Sequence, residues 1–241
     1  MGFQRVIQFV FPHQCVGCGT MTADDRGLCG ACWSATPFIV GLVCDGCGIP
    51  LPGGEEAAGP VHCDDCLTAP HPWSRGRAAM LYRDNARRMV LALKHGDRLD
   101  LAKPAARWMA AAAAPILEPE SIAVPVPSHW FRLVRRRYNQ AAILAQGVAR
   151  LAGIDVCVDA LVRVRSTETQ EGKGREARQA NVSDAIRAHP RRGRRLAWRP
   201  VLLVDDVLTS GATLGAAAEA ALAAGAASVS VLVLARVGRD A

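Results

Sequence analysis

Four Cys-x-x-Cys pairs near the start of this chain constrain its fold more than any other feature. They account for eight of the nine cysteines and are separated by 10, 11 and 15 residues: Cys15/Cys18, Cys29/Cys32, Cys44/Cys47 and Cys63/Cys66. One such pair presents two thiolates from a tight turn, and two pairs complete a tetrahedral zinc shell. The spacing therefore predicts two zinc sites rather than disulfides. Both sites are expected to be structural, because a shell of four cysteines leaves no open position for catalysis.

The four pairs can share the two ions in two ways. The simpler way is sequential, with the first two pairs on one ion and the last two on the other, and an interleaved cross-brace is the alternative. His62 directly precedes Cys63 and is interpreted as a bystander, because eight thiols are already available. The ninth cysteine, Cys157, lies in an apolar run and is expected to be a buried strand residue.

A second feature is the segment Val-Leu-Leu-Val-Asp-Asp-Val-Leu-Thr-Ser-Gly-Ala-Thr at residues 201–213. Its apolar start predicts a buried strand, and the carboxylates of Asp205 and Asp206 follow. A small, hydroxyl-rich turn then opens an Ala-rich helix that Gly225 can close. A strand, loop and helix in this order offer backbone N–H groups to a phosphate, and the carboxylates accept hydrogen bonds from sugar hydroxyls. The segment therefore predicts a sugar-phosphate site.

This segment resembles the phosphoribosyl pyrophosphate (PRPP) motif of type I phosphoribosyltransferases. The resemblance implies that Asp205 and Asp206 are the catalytic pair and hold the ribose 2′- and 3′-hydroxyls. The loop that follows would cradle the 5′-phosphate with Thr209, Ser210, Gly211, Ala212 and Thr213. The plainer interpretation is an ordinary strand–turn–helix whose acidic pair caps the helix. The hydroxyl and glycine residues at the required offsets favour the PRPP interpretation.

Alternating patterns after residue 70 predict the fold class. We expect strands at 78–82, 122–126, 156–162, 201–204 and 228–234, and helices at 87–94, 101–117, 140–151 and after the motif. Such alternation implies an α/β domain with a mainly parallel sheet, flanking helices and ligands at the carboxyl ends of the strands. Pro70, Pro72 and the loss of cysteines mark a boundary. We therefore expect a double zinc ribbon at 1–70 and a phosphoribosyltransferase-like domain at 71–241.

The lengths of the apolar runs predict no membrane-spanning helix. Half of the 241 residues are hydrophobic, which suffices for a packed core, yet no run reaches the roughly 18 uninterrupted apolar residues of a membrane helix. The apolar start carries only Arg5 as a charge and lacks a small-residue cleavage site before Cys15. It is interpreted as a short helix or strand rather than a signal peptide. We expect a cytoplasmic protein without membrane insertion.

The net charge of +7 is unevenly distributed. Residues 1–70 hold two basic and seven acidic side chains, so this part lacks the basic face that nucleic-acid phosphates need. We interpret it as a scaffold or a protein contact. Residues 163–199 hold 11 basic and four acidic side chains, and a second basic cluster includes Arg132, Arg135, Arg136 and Arg137. These arginines attract a polyanion or form a solvated surface, and for residues 191–195 we favour the solvated surface.

From Cys15 to its end the chain resembles ComF-type competence proteins, which join a cysteine-rich zinc ribbon to a phosphoribosyltransferase domain. Besides the cysteine pairs and the PRPP motif, three further stretches carry the resemblance. They are Leu93-Lys94-His95-Gly96-Asp97, Pro125-Val126-Pro127 followed by Arg136-Arg137-Tyr138-Asn139-Gln140, and the set Thr167, Gln170, Arg178 and Asn181. Arg137 stands where the family usually has glycine.

The resemblance implies further parts of the site. The loop after Val126 would approach the pyrophosphate, with Arg135 and Arg136. The polar stretch at 163–181 would close over PRPP as a flap, with Lys173, Arg175 and Arg178, or would be an ordinary surface loop. Mg²⁺ would bind with PRPP. The implied reaction is phosphoribosyl transfer to an acceptor that the sequence does not identify. Thr209 occupies the position of an acid–base Asp in purine-salvage relatives, which argues against that reaction.

The main alternative is a non-catalytic binding protein. ComF relatives are associated with uptake of single-stranded DNA in natural transformation, so the pocket would sense PRPP, handle single-stranded DNA or act with DNA-uptake proteins. Aromatic residues make up only 5% of the chain, and stacking platforms for single strands are not evident. Trp130, Phe131 and Tyr138 do lie beside an arginine cluster. A third hypothesis is an adaptor in which the zinc module docks a partner.

Overall fold

A computed structural model of the chain describes residues 13–23, 27–53, 59–95, 98–128, 139–165 and 185–238. Within these ranges, the cysteine-rich region contributes two short helices, α1 (Gly30–Ser34) and α2 (Asp64–Thr68). The elements after it alternate between strand and helix: β1 (Arg75–Leu81), α3 (Asp84–His95), α4 (Ala102–Ala113), β2 (Ile122–Pro125), α5 (Gln140–Ala152), β3 (Asp155–Val156), β4 (Leu161–Arg163), β5 (Ile186–Ala188), β6 (Pro200–Leu208), α6 (Ala212–Ala223) and β7 (Ser228–Arg236).

The main sheet has five strands in the order β1-β7-β6-β2-β3, and every neighbouring pair is parallel. A separate antiparallel pair is formed by β4 and β5. Parallel neighbours need crossover connections, and these are supplied by helices that lie on the faces of the sheet. The predicted class, an α/β domain with a mainly parallel sheet preceded by a cysteine-rich module, is confirmed.

Two hydrophobic cores cover the two faces of this sheet. Leu202 and Val204 of β6 belong to the first core, whereas Val201 and Leu203 belong to the second, as the two-residue repeat of a strand requires. Helices α3, α4 and α5 pack on the first face, and α6 packs on the second. Burial on both faces explains why β6 begins as an uninterrupted apolar run.

The cysteine-rich region lies along the outer edge of the sheet, beside β1. Residues 37–39 run antiparallel to this strand: the Ile39 amide donates to the Ala79 carbonyl at 3.0 Å, and the Leu81 amide donates to the Pro37 carbonyl at 2.9 Å. The backbone of the cysteine-rich region therefore pairs with the edge strand instead of leaving its hydrogen-bonding groups open.

The same region divides between the two cores. The first two cysteine pairs approach the first core, through Cys15 and the nearby Leu28. The last two pairs approach the second core, which contains Cys44, Cys47 and Cys66. Each half of the cysteine-rich region therefore packs against a different face of the sheet.

One predicted strand is wrong. The run 156–162 is divided between β3, which joins the main sheet, and β4, which pairs with β5. A turn at 158–160 separates them, and its Asp159 carboxylate is held by Arg192 at 3.0 Å. Cys157 is buried as expected, but it follows β3 instead of lying within a strand. The polar turn residue interrupts an apolar pattern that otherwise reads as continuous.

Other boundaries shift for local reasons. The helix expected at 101–117 has its α-helical part at Ala102–Ala113, with 3₁₀ turns at Leu99–Leu101 and Ala114–Ile116. Pro115 lies in the second turn, and proline disfavours continuation of an α-helix. Strand β6 extends through Leu208, beyond the predicted end, because its pairing with β7 continues to Arg236. The short element expected at 1–11 lies outside the described residues.

Candidate functional site

The eight paired cysteines form two clusters in which the sulfur atoms lie within 4.8 Å of one another. The first zinc site is formed by Cys15, Cys18, Cys29 and Cys32, and the second by Cys44, Cys47, Cys63 and Cys66. The grouping is sequential, so the interleaved alternative is not observed. In the two sites, the Sγ atoms of Cys18 and Cys29 and those of Cys47 and Cys63 are 3.7 Å apart. Tetrahedral zinc with bonds of about 2.3 Å separates its sulfurs by about 3.8 Å, so the residues fit two structural zinc ions.

The acidic pair lies where two neighbouring strands part. Strand β2 stops pairing with β6 at Pro125, opposite Val204, whereas β6 continues beside β7. Asp205 and Asp206 are therefore the first residues of β6 beyond the end of β2. The helices that follow these strands, α5 and α6, lie on opposite faces of the sheet. Ligands of open α/β sheets bind in the crevice at such a topological switch point.

The two carboxylates have different surroundings. Burial and the neighbouring charge of Asp206 raise the pKa of Asp205 to about 8. The Asp205 carboxylate also accepts a hydrogen bond from the Asp206 amide at 2.8 Å. Asp206 pairs with Lys94 of α3, with Nζ and Oδ2 3.7 Å apart. In the ligand-free protein near neutral pH, Asp205 therefore retains its proton while Asp206 faces a positive charge.

Lys94 is held in the crevice by the start of α5. The Gln140 side-chain amide donates to the Lys94 carbonyl at 3.4 Å. Asn139 caps α5 by accepting a hydrogen bond from the Ala141 amide at 3.1 Å, and its side chain also donates to the Val126 carbonyl at 3.4 Å. The Asn-Gln pair singled out in the sequence thus joins the end of α3 to the segment after β2.

Residues 209–213, the predicted phosphate-binding loop (phosphate loop), connect β6 to α6. Gly211 precedes the first residue of α6 with φ +81°, a left-handed conformation that glycine adopts at little cost, and it provides no side-chain cap. The Ala212 amide lies 3.5 Å from the Ser210 hydroxyl. The positive end of the α6 dipole therefore opens towards the same crevice edge as the acidic pair.

The structure brings together the acidic pair and the phosphate loop, and it adds Lys94, whose role the sequence did not reveal. The predicted pyrophosphate and flap residues lie outside the described residues: Arg135, Arg136, Lys173, Arg175 and Arg178. Two aromatic features were also missed by sequence reasoning. His71 and Trp73 stack beside Gly211, and Trp198 is 89% exposed beside an arginine-rich turn.

None of the helices in the described ranges has both the length and the apolar character needed to cross a lipid bilayer.

The family model of the double zinc ribbon domain matches residues 6–67, and that of the phosphoribosyl transferase domain matches residues 139–241. The sheet itself includes β1 and β2, which precede the second match. Fold and site therefore define a class: a phosphoribosyltransferase-type α/β protein with an N-terminal double zinc ribbon.

Curated relatives place the chain more narrowly. It is 33% identical to the DNA utilization protein YhgH of Salmonella typhi over 220 residues, which cover 87% of this chain and 90% of the relative. It is 30% identical to the protein of the same name in Escherichia coli K12, with the same coverage. It is 28% identical to Competence protein F of Haemophilus influenzae, with 85% of this chain and 88% of the relative covered. The chain belongs to the ComF family.

Proposed function

We propose that this protein binds PRPP with Mg²⁺ and transfers its phosphoribosyl group to an acceptor in the handling of DNA. One observation carries the proposal: an acidic pair and a glycine-opened helix meet at the switch-point crevice between β2 and β6. An arrangement of two carboxylates beside a phosphate-binding helix end suits a sugar that carries a 5′-phosphate. The name DNA utilization protein, carried by the relatives in Salmonella typhi and Escherichia coli, supports the link to DNA. We also propose a cytoplasmic location.

Each described residue has a distinct role in this proposal. Asp205 and Asp206 accept hydrogen bonds from the ribose hydroxyls. The negative charge of Asp206, and of Asp205 once it has released its proton to solvent in the complex with the cation, stabilises positive charge that develops on the ribose ring as the C1′–O bond breaks. Backbone N–H groups of the phosphate loop hold the 5′-phosphate. Mg²⁺, when bound with PRPP, supplies charge neutralisation of the pyrophosphate leaving group. Lys94 exchanges its pairing with Asp206 for contact with the incoming anion.

The acceptor is constrained by what the loop lacks. Thr209 is exposed and carries no group that takes a proton near neutral pH. Transfer to a purine base, which in salvage relatives relies on an Asp at this position, is therefore disfavoured. We expect an acceptor that loses its proton without a base at position 209.

Calorimetry with PRPP and Mg²⁺ tests the binding step. We expect the wild-type chain to bind PRPP and the double variant Asp205→Asn/Asp206→Asn to lose binding. Neutral amides accept hydrogen bonds from ribose hydroxyls less strongly than carboxylates do, and they carry no negative charge. Glu219→Gln, which removes an exposed carboxylate from α6, serves as the control. Failure of the wild type to bind PRPP refutes the proposal. A screen for pyrophosphate release against nucleobases and amines then identifies the acceptor.

A second candidate function, binding of single-stranded DNA, is favoured by one surface. Trp198 is 89% exposed and has a left-handed φ of +63°, and its amide donates to the Gly225 carbonyl at 2.8 Å. The 3₁₀ turn just before it carries the exposed Arg194 and Arg195. An exposed indole stacks on bases of any sequence, and arginines contact phosphates. This surface lies at the amino end of β6, opposite to the acidic pair.

Fluorescence anisotropy with a labelled oligo-dT separates the two functions. If this surface binds DNA, Trp198→Ala weakens binding by about 5- to 150-fold, which corresponds to about 1–3 kcal/mol for stacking of one base. Trp33→Ala is the matched control, since Trp33 is a partly exposed tryptophan on the negatively charged zinc ribbon. The double Asn variant should bind DNA as the wild type does. Equal loss in Trp198→Ala and Trp33→Ala contradicts this second function.

A further inference from the structure

The linker between the cysteine-rich region and β1 touches both the second zinc site and the phosphate loop. Trp73 is 5% exposed, and its indole N–H donates to the Gly46 carbonyl at 2.6 Å. Gly46 lies between Cys44 and Cys47, and a Cβ placed on it would lie only 3.0 Å from the Cys66 sulfur. The indole is therefore anchored to the turn that presents the thiols of the second site.

The other side of this linker faces the phosphate loop. The His71 and Trp73 rings, which we call the linker stack, are parallel within 8° and have centroids 4.0 Å apart. A Cβ placed on Gly211 would lie 3.0 Å from Trp73 Cη2 and 3.2 Å from His71 Cε1. Pro72, which separates His71 from Trp73 in the sequence, lies beside Gly215 in the first turn of α6. The stack therefore forms a wall against which the left-handed turn at Gly211 is packed.

Arg236, the last residue of β7, also contacts the phosphate loop. Its guanidinium donates to the carbonyls of Thr209, at 3.0 Å, and Val237, at 2.7 Å. These hydrogen bonds join the start of the phosphate loop to the end of β7.

The first zinc site is placed differently. Its Cys15 and the nearby Leu28 belong to the core on the opposite face of the sheet, together with α4. There Trp108 of α4 packs edge-on against Phe38, with ring centroids 5.3 Å apart. Only the second site shares its core with α6 and the linker stack. The two zinc sites are therefore not equivalent with respect to the phosphate loop.

We infer that the second zinc site, acting through the linker stack, holds the phosphate loop in the conformation that binds the 5′-phosphate. His71 and Trp73 are then positioning residues, and this role rests on the proposed binding of PRPP. A loop held in its bound conformation loses less entropy when the ligand binds, so loosening it lowers affinity without removing any ligand contact. The zinc ribbon thereby contributes to ligand affinity as well as to folding.

The test is calorimetric titration of PRPP with Mg²⁺ into variants of the full chain. Trp73→Phe retains an aromatic ring but loses the donor to Gly46, and His71→Ala removes the stacked ring. We expect each to weaken PRPP binding by about tenfold while the chain keeps two zinc ions. His71→Phe, which can still stack, is expected to restore affinity. Trp108→Phe is the matched control, because it alters an aromatic contact beside the first zinc site, and its affinity should equal that of the wild type.

A second measurement addresses the metal. Cys66→Ser is expected to lower the zinc content from two ions to one and to weaken PRPP binding, whereas Cys157→Ser removes another buried thiol of the same core and changes neither. Hydrogen exchange at residues 208–214 should be faster in Trp73→Phe and Cys66→Ser than in Trp108→Phe, since loosened loops exchange faster.

The outcomes separate this inference from the proposed function. If the wild type binds PRPP and the linker-stack variants bind as tightly, with unchanged exchange in the loop, the positioning role is refuted and PRPP binding stands. If the wild type binds no PRPP, the proposed function is refuted and the positioning role falls with it.

Discussion

The unusual state of Asp205 makes a quantitative prediction about stability. A carboxyl group with an ordinary pKa of 3.8 is held at about 8 in the folded protein. At pH 7 the unfolded chain has released this proton, whereas the folded chain retains it. Taking up the proton on folding lowers the free energy of unfolding by about 4 kcal/mol, which corresponds to about 3 pKa units. Asp205 is half-buried, and solvent screening reduces this cost. We expect Asp205→Asn to stabilise the ligand-free protein by about 2 kcal/mol at pH 7, because an amide does not ionise.

The raised pKa of Asp205 also predicts how the stability of the wild type changes with pH. As pH rises from 4 to 8, the unfolded state loses the Asp205 proton first, so the wild type loses stability through this window. Below the ordinary pKa both states are protonated, and the two proteins should unfold alike there. For a chain of this length, about 2 kcal/mol corresponds to a rise of about 4–8 °C in the unfolding midpoint at pH 7.

Thermal unfolding followed by circular dichroism at pH 4, 5.5, 7 and 8 is the assay. Glu219→Gln, an amide substitution at an exposed position of α6, is the control and should leave the midpoint nearly unchanged at every pH. An Asp205→Asn midpoint that equals or falls below that of the wild type at pH 7 would refute the reasoning. So would a gain of the same size at pH 4. The expected result also means that the residue proposed to bind ribose reduces the stability of the free protein.

Three further predictions concern neighbouring features. Gly211→Ala forces a side chain into φ +81° and should cost about 1–2 kcal/mol of unfolding free energy, measured with denaturant, and weaken PRPP binding. Lys94→Gln removes a positive charge that lowers the pKa of Asp205, so the loss of stability with rising pH should extend to higher pH, and unchanged curves would contradict the coupling. Cys66→Ser and Cys18→Ser should each leave one zinc ion per chain by elemental analysis, and loss of both ions from either variant would contradict two independent sites.

Local signals explain what could be predicted from the sequence. The zinc ligands follow from short, regular cysteine spacings, and only their pairing needed coordinates. The strand, loop and helix at 201–213 follow from an apolar run, a glycine and alanines that act within a few residues of one another. The parallel sheet follows from the alternation of such elements. Each cysteine pair and each strand or helix is specified by a pattern within its own short stretch of chain.

What could not be predicted depends on contacts between distant residues. Trp73 touches Gly46 and Gly211, which are separated by more than half of the chain, and no periodicity encodes that meeting. The exposure of Trp198 depends on a left-handed backbone conformation that non-glycine residues rarely adopt. The pairing of Lys94 with Asp206 requires the end of α3 to reach the crevice. These contacts are products of tertiary packing.

The antiparallel pairing of residues 37–39 with β1 has a consequence for the life of the protein before it acquires metal. Strand β1 is seven residues long, whereas β3, at the other side of the sheet, has only two. A freshly made chain without zinc would present the longer flank as an open template for intermolecular strand addition. Zinc depletion should therefore first produce insoluble protein, before any loss of the proposed PRPP binding becomes measurable. In this sense the metals act as protection against self-association.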